Sequence, residues 1–284
     1  MNIIETHKVP SQQNSIRLSD YAVGIFHRVP TKAGIKKAIK KGLILVNNKR
    51  GVSGYFIMGG ESIELLEDEN IAKKNINLNL DILWEDDYLA IIYKPAGLLV
   101  SGNKAKTVTN ALTYNLQKST LSDAVKPQPI HRLDFATSGL LLIGKTANSI
   151  RELGKLFENK NIQKTYIAIT IGTMKNHQTI SHAINNKESI STYQVLQCIP
   201  SARFGFLNLL ELKPFTGRRH QLRIHCAHIG NPILGDDLYA KEGSVLKGHG
   251  LYLHAKSLEF IHPFTHKTLV VEKEIPNKFK RIFK

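Results

Sequence analysis

The chain has 284 residues, enough for one large domain or two unequal ones. Lysine and arginine number 39 against 23 acids, a formal charge of +16 that points to a polyanionic partner, nucleic acid rather than membrane, because each phosphate neutralised releases a condensed counterion. No apolar run approaches the roughly 18 to 20 residues that cross a bilayer, Met1 to Gln13 is too polar for a signal peptide, and Cys198 and Cys226 lack a paired-thiol or zinc-knuckle spacing, so a cytoplasmic location is expected and both cysteines read as small buried side chains.

From Tyr21 to Gly60 there are eight Lys or Arg and no acid, and five acids then follow between Glu61 and Asn70. The change of sign marks the edge of a small basic module, taken as residues 15–66. Within it Ile35, Ala38 and Ile39 share one helical face, leaving Lys36, Lys37, Lys40 and Lys41 on the other as candidate RNA contacts. Gly42 can end that helix, and Leu43 to Val46 then form a short strand closed by an Asn47-Asn48 turn. The pieces Arg17, Leu18 and Tyr21, the Ala33 to Gly42 helix, Ile44 to Asn48 and Gly60 to Leu65 resemble an S4 RNA-binding domain. The plainer reading of the lysines is a solvated helix face.

Glu67 to Asn79 is polar and without period, as a connection would be. Beyond it Tyr88 to Tyr93, Leu140 to Ile143, Tyr166 to Ile171, Ser191 to Gln197 and Phe206 to Leu212 read as short strands. Ala147 to Glu158 reads as a helix with Ile150, Leu153 and Phe157 on one stripe. Residues 80–284 are thus expected to be an α+β domain with a mixed, mostly antiparallel sheet, joined to a smaller N-terminal α+β domain.

His131 to Thr146 reads HRLDFATSGLLLIGKT, placing one carboxylate, Asp134, beside a cationic pair, His131 and Arg132, that could hold a phosphodiester. The alternative is a polar loop capping a strand. The stretch resembles the signature of the RluA-type pseudouridine synthases, with Gly144 where that family usually has alanine. Ile82 to Val100, Lys164 to Gly172 and Pro214 to His225 (PFTGRRHQLRIH) are similar to further motifs of the family, followed by Pro232, Ile233, Gly235, Asp236 and Tyr239 at its spacing. Ala240 and Ser101 to Lys104 depart from it.

The resemblance implies an enzyme that breaks the N1 to C1′ bond of a uridine, rotates the base and rejoins it through C5, with no cofactor. It implies Asp134 as the nucleophile, since a carboxylate is ionised at neutral pH without a helper base. Arg223 would be the cation that orients it, on a helix ending near Gly230. Tyr166 would stack on the base and take the C5 proton, and Arg132 would fill the space of a flipped uridine. Thr137, Arg218 and His220 join His131 and Arg132 as expected RNA contacts. For Arg223 the plainer reading is a phosphate or surface arginine, and for Tyr166 a core tyrosine.

A metal site built from His131, His220, His225, His228, Asp236 and Asp237 is not supported by their spacing, and the glycines form no nucleotide cradle. The expected substrate is large-subunit ribosomal RNA, acted on by a monomer. Transfer RNA is the alternative substrate, and a non-catalytic RNA-binding or ribosome-assembly protein or a metal-dependent hydrolase are the rival functions.

Overall fold

The computed structural model describes residues 2–11, 14–68, 76–240, 245–246 and 248–284. Among them no helix is long and apolar enough to cross a membrane. The N-terminal part contains β1 (Ile3–Lys8), β2 (Ile16–Arg17), β3 (Ile44–Val46), β4 (Lys49–Arg50), β5 (Phe56–Ile57) and β6 (Ser62–Leu66). Four of these form a sheet in the order β1-β6-β3-β4, and β2 pairs with β5. The helix Lys32–Lys40 starts at Thr31, whose hydroxyl accepts from the Gly34 N–H at 3.1 Å, and buries Ile35, Ala38 and Ile39. Lys36, Lys37, Lys40 and Lys41 lie exposed. Asn47 and Asn48 both take positive φ, 48° and 65°, the pairing a two-residue hairpin turn requires.

Two expectations need correction. The unit begins before residue 15, because β1 adds to the sheet by antiparallel pairing with β6. Lys41 is not free for a phosphate, since its ammonium pairs with the carboxylate of Asp68. The core of this unit, with Leu18, Phe26, Ile35, Ile44 and Ile63, is drawn entirely from residues 4–66. Of the expected connection 67–79, residues 69–75 lie outside the described residues; Ile76 already belongs to the next unit, its N–H donating to the Asn110 carbonyl at 3.0 Å.

The second unit carries β7 (Ile82–Glu85), β8 (Leu89–Lys94), β9 (Ala124–Pro129), β10 (Ser138–Thr146), β11 (Gln163–Ile171), β12 (His177–Ser181), β13 (Ile190–Ser201), β14 (Gly205–Pro214), β15 (Leu253–Ile261) and β16 (Thr268–Glu272). They make one sheet in the order β12-β13-β14-β11-β15-β10-β8-β7, with β16 added on β15 and β9 on β10. The expected α+β class with a mixed, mostly antiparallel sheet holds: among the pairings of these named strands only β10 with β15 is parallel.

All nine residues of β10 are buried, because helices cover both faces of the sheet. Leu141 and Ile143 pack with Val108, Ala111 and Leu112 of the helix Val108–Asn115. Leu140 and Leu142, one residue out of phase, pack with Leu153 of the helix Ala147–Glu158. The second helix has the predicted bounds and opens on a reciprocal cap between Thr146 and Ser149. Gly144, where an alanine was expected from the resemblance, faces Ile150, whose Cγ1 lies 2.7 Å from where a Cβ would stand. Cys226 is buried as expected, but Cys198 is exposed, on the outer half of β13 where the strand runs past the core.

The parallel junction is close. Gly139 pairs with Ala255 at φ +125°, and a Cβ there would stand 2.2 Å from the Ala255 carbonyl oxygen. Gly139→Ala should therefore destabilise the protein by about 2 to 4 kcal/mol in urea unfolding, from backbone strain and overpacking together. Gly154→Ala, in the helix Ala147–Glu158 with nothing within 4 Å, should raise stability by about 0.5 to 1 kcal/mol. Equal effects of the two would contradict the register at Gly139.

Candidate active site

The β9–β10 loop, residues 130–137, precedes this junction and is held from several sides. Leu133 is buried in the core beneath it. The Ile130 N–H donates to the Leu142 carbonyl (2.9 Å), and the Leu142 N–H donates to His131 Nε2 (3.1 Å). The Phe135 carbonyl accepts from the Gly97 N–H (2.8 Å) and the Thr137 N–H donates to the Asp134 carbonyl (3.1 Å). Lys94, fully buried at the end of β8, donates from Nζ to the carbonyls of Pro95 (3.0 Å), Leu98 (2.9 Å) and Phe135 (3.4 Å). Burial pulls its pKa down to about 8, against the opposing pull of the Asp134 charge.

Asp134 projects into a pocket of about 300 Å³, also lined by Arg132, Thr137, Lys164, Tyr166, Arg218, His220 and Arg223. The three residues expected to carry chemistry, from a loop, a strand and a helix, therefore meet. Tyr166 enters from β11 at an irregularity in its pairing with β15, between Thr165 and Tyr166. Burial, and then the Asp134 charge, push its phenol well above the usual range. Arg223, on the helix Gln221–His228, is buried and forms a fork to Asp236, Nε to Oδ2 at 2.8 Å and Nη2 to Oδ1 at 2.7 Å. Its Nη1 stands 3.9 Å from Asp134 Oδ2. Burial opposes its charge, but the Asp236 hydrogen bonds outweigh it and raise the guanidinium pKa.

The expectations for this pocket need amending at three points. Arg223 has Asp236, not Asp134, as its direct partner. His131 is not half of a cationic pair: burial, then the nearby Lys164 charge, hold its pKa down to about 3, so the ring is neutral and accepts from the backbone. Arg218 spends its Nε on the Glu188 carbonyl at 3.1 Å. Arg132 is exposed on the rim, and Thr137 is buried with its hydroxyl unpartnered among the described residues.

Sequence reasoning gave no role to Lys94 or Lys164, named Tyr239 only as part of a spacing, and weighed Asp236 only there and as a metal candidate. A lysine at the end of an apolar strand and directly before Pro95 was the readable signal for the first. For Asp236 and Tyr239 the motif spacing was the signal, and nothing local gives a task to them or to Lys164. Of the metal candidates, His225 turns its Nε2 to the His182 carbonyl (3.2 Å), and His182 stacks on His228 at 3.8 Å. Among the described residues no group of three or more metal-ligating side chains converges.

The RNA pseudouridylate synthase family model matches residues 88–228, which contain Asp134, Tyr166 and Arg223. The chain is also 32% identical over 285 residues to a "Ribosomal large subunit pseudouridine synthase D" of Buchnera aphidicola, covering 89% of this chain and 88% of that one. The chain belongs to the RNA pseudouridylate synthase family. A "Ribosomal large subunit pseudouridine synthase C" of Haemophilus influenzae is 30% identical over 96% of this chain and 92% of that one. Among solved structures, "Human RNA Pseudouridylate Synthase Domain Containing 1" superposes with a TM-score of 0.58 at 25% identity, over 69% of this chain and 83% of that chain. The resemblance seen in the motifs thus holds, and the protein is a pseudouridine synthase.

The buried histidines of this synthase make a pH signature. His131 and His254 have pKa values lowered by burial from 6.5 to about 3 and about 4. The unfolded chain therefore binds protons between pH 6.5 and these values that the fold refuses, so the contribution of these two rings to stability is fully present above pH 6.5 and is lost as pH drops below it. His131→Gln, which keeps an acceptor for Leu142, should flatten the fall of the urea midpoint between pH 6.5 and 4. An unchanged slope would mean that His131 is charged in the fold.

Proposed function

We propose that this synthase isomerises specific uridines of large-subunit ribosomal RNA in the cytoplasm, as a monomer, with Asp134 as its nucleophile. Its relatives named for large-subunit synthases C and D, aligned over most of their length, support that substrate over transfer RNA. The observation that carries the mechanism is the pocket itself. Asp134 has Arg223 on one oxygen and His220 on the other, with the Tyr166 ring beside them, all from one chain.

The reaction balances without a cofactor: the N1–C1′ bond breaks, C1′ bonds to C5, C5 gives up a proton and N1 gains one. Asp134 attacks the uridine and departs once the rotated base is rejoined. Tyr166 supplies a stacking face. As the base is rejoined through C5, Tyr166 is also the group in reach of the C5 proton, a role its burial and the Asp134 charge, which raise its phenol above the ordinary range, do not by themselves decide. Arg132, exposed on the rim, stacks in the space that the flipped base leaves, offsetting part of the few kcal/mol that extrusion costs. The N-terminal unit, S4-like in its helix and hairpin, grips structured RNA through Lys36, Lys37 and Lys40.

Asp134→Asn keeps the side-chain shape and loses the nucleophile. With a large-subunit RNA transcript carrying tritium at uridine C5, the parent should release tritium and the variant should not, at an RNA affinity within a few fold. Turnover by the variant would remove Asp134 from its role, and a parent that acts on transfer RNA but not on this transcript would establish the alternative substrate. Replacing Lys36, Lys37 and Lys40 by alanine should lower the slope of log affinity against log salt by about 0.7 to 0.9 for each phosphate no longer neutralised. Equal slopes would mean a merely solvated face.

A further inference from the structure

His220 was expected to touch RNA, yet its surroundings give it a different task. Its backbone sits at φ 55°, ψ 22°, a left-handed conformation for a residue with a side chain, and at the start of the helix Gln221–His228 it makes no capping hydrogen bond. What the strained backbone accomplishes is to aim the ring inward. Nε2 stands 3.6 Å from Asp134 Oδ1, on the carboxylate oxygen opposite the one that faces Arg223. Nδ1 lies 2.9 Å from the hydroxyl of Tyr239.

Tyr239 and Asp236 belong to one turn. The Asp236 carboxylate takes the Arg223 fork and the N–H groups of Leu238 (3.0 Å) and Tyr239 (3.2 Å), while the Tyr239 ring lies 5.2 Å beneath the Arg223 guanidinium. This single turn therefore orients both groups that face Asp134. Resting on the reading of Asp134 as nucleophile, we propose that His220 is a positioning residue: its neutral ring accepts the Tyr239 hydroxyl proton at Nδ1 and donates Nε2–H to Asp134 Oδ1, fixing the plane of the carboxylate as substrate closes the remaining gap.

The charges around the ring agree with this tautomer. Burial, Arg223 and Arg219 disfavour an imidazolium, while Asp134 and Asp236 favour it, and the balance lowers the pKa below the ordinary 6.5. The ring is thus neutral at neutral pH. With the Tyr239 hydroxyl donating to Nδ1, as the proposal has it, the neutral ring carries its proton on Nε2, the nitrogen turned to the carboxylate. When the imidazole gains a second proton in acid, a full positive charge clamps Oδ1 and reduces the nucleophilicity of Asp134.

Steady-state kinetics of the full-length enzyme on the tritiated transcript, with each variant's thermal unfolding measured alongside, test the assignment. His220→Ala should lower kcat by about 10- to 100-fold with KM within about threefold, as misplacement of a reacting group does. His220→Gln, a donor that does not titrate, should recover most of that loss and move the acid limb of the kcat profile to lower pH. Tyr239→Phe should lower kcat by a smaller factor and leave KM alone. A rise in KM with kcat unchanged would return His220 to RNA contact, and an acid limb unmoved in His220→Gln would overturn the proposal. If Asp134→Asn is inactive while His220→Ala matches the parent, this proposal alone fails; if Asp134→Asn turns over, both readings fail.

Discussion

The buried pair of Arg223 and Asp236 is the interaction on which the active site hangs. Both side chains are withdrawn from water, Asp236 completely, and an unpaired charge at that depth would cost several kcal/mol. The two hydrogen bonds of the fork offset this and fix the guanidinium plane. With Nε and Nη2 occupied, Nη1 is the nitrogen left toward Asp134. The geometry around Asp134 is therefore inherited from an aspartate 102 positions further along the chain. Asp236 is itself held by a turn in which Gly235, at φ +78°, lies so close to the Gly250 carbonyl that a Cβ would stand 2.0 Å from its oxygen.

Asp134 is fixed from the other side by backbone rather than by charge. Leu133 is sunk in the core, His131 is a neutral acceptor locked to β10, and Lys94 gathers three carbonyls around the Pro95 turn and Phe135. Chemistry at the pocket then needs little reorganisation, because the loop is already tied at most of its residues and the sheet below it is packed on both faces. The same arrangement explains why the loop enters β10 at the parallel junction. Only a glycine at 139 lets β15 come this near, and the approach sets His254 beside Ser138 and Ala255 beside Gly139.

What could be read from the sequence was what depends on neighbours a few residues apart. The helix Ala147–Glu158 and the buried face of Lys32–Lys40 follow from local periodicity and caps, and the Asn47-Asn48 turn from its residue types. The motif stretches brought Asp134, Tyr166 and Arg223 forward, and they do line one pocket. What escaped depends on partners distant in sequence. Nothing near Ile3–Lys8 says that it will pair with Ser62–Leu66, nothing near Lys41 announces Asp68, and nothing around Arg223 singles out Asp236. His131 reads as a cation because histidine beside arginine suggests phosphate, and only the depth of its ring and the Leu142 amide show otherwise. Cys198 reads as buried because cysteine usually is, whereas its strand continues beyond the core.

The claim that Arg223 and Asp236 act as one unit is tested most directly by a double-mutant cycle on stability, with Arg223→Met, Asp236→Leu and the combined variant unfolded in urea. Each single change should cost about 3 to 5 kcal/mol by stranding a buried charge, and the combined apolar pair should return most of that stability. Additive losses, with the double variant less stable than either single one, would contradict the account.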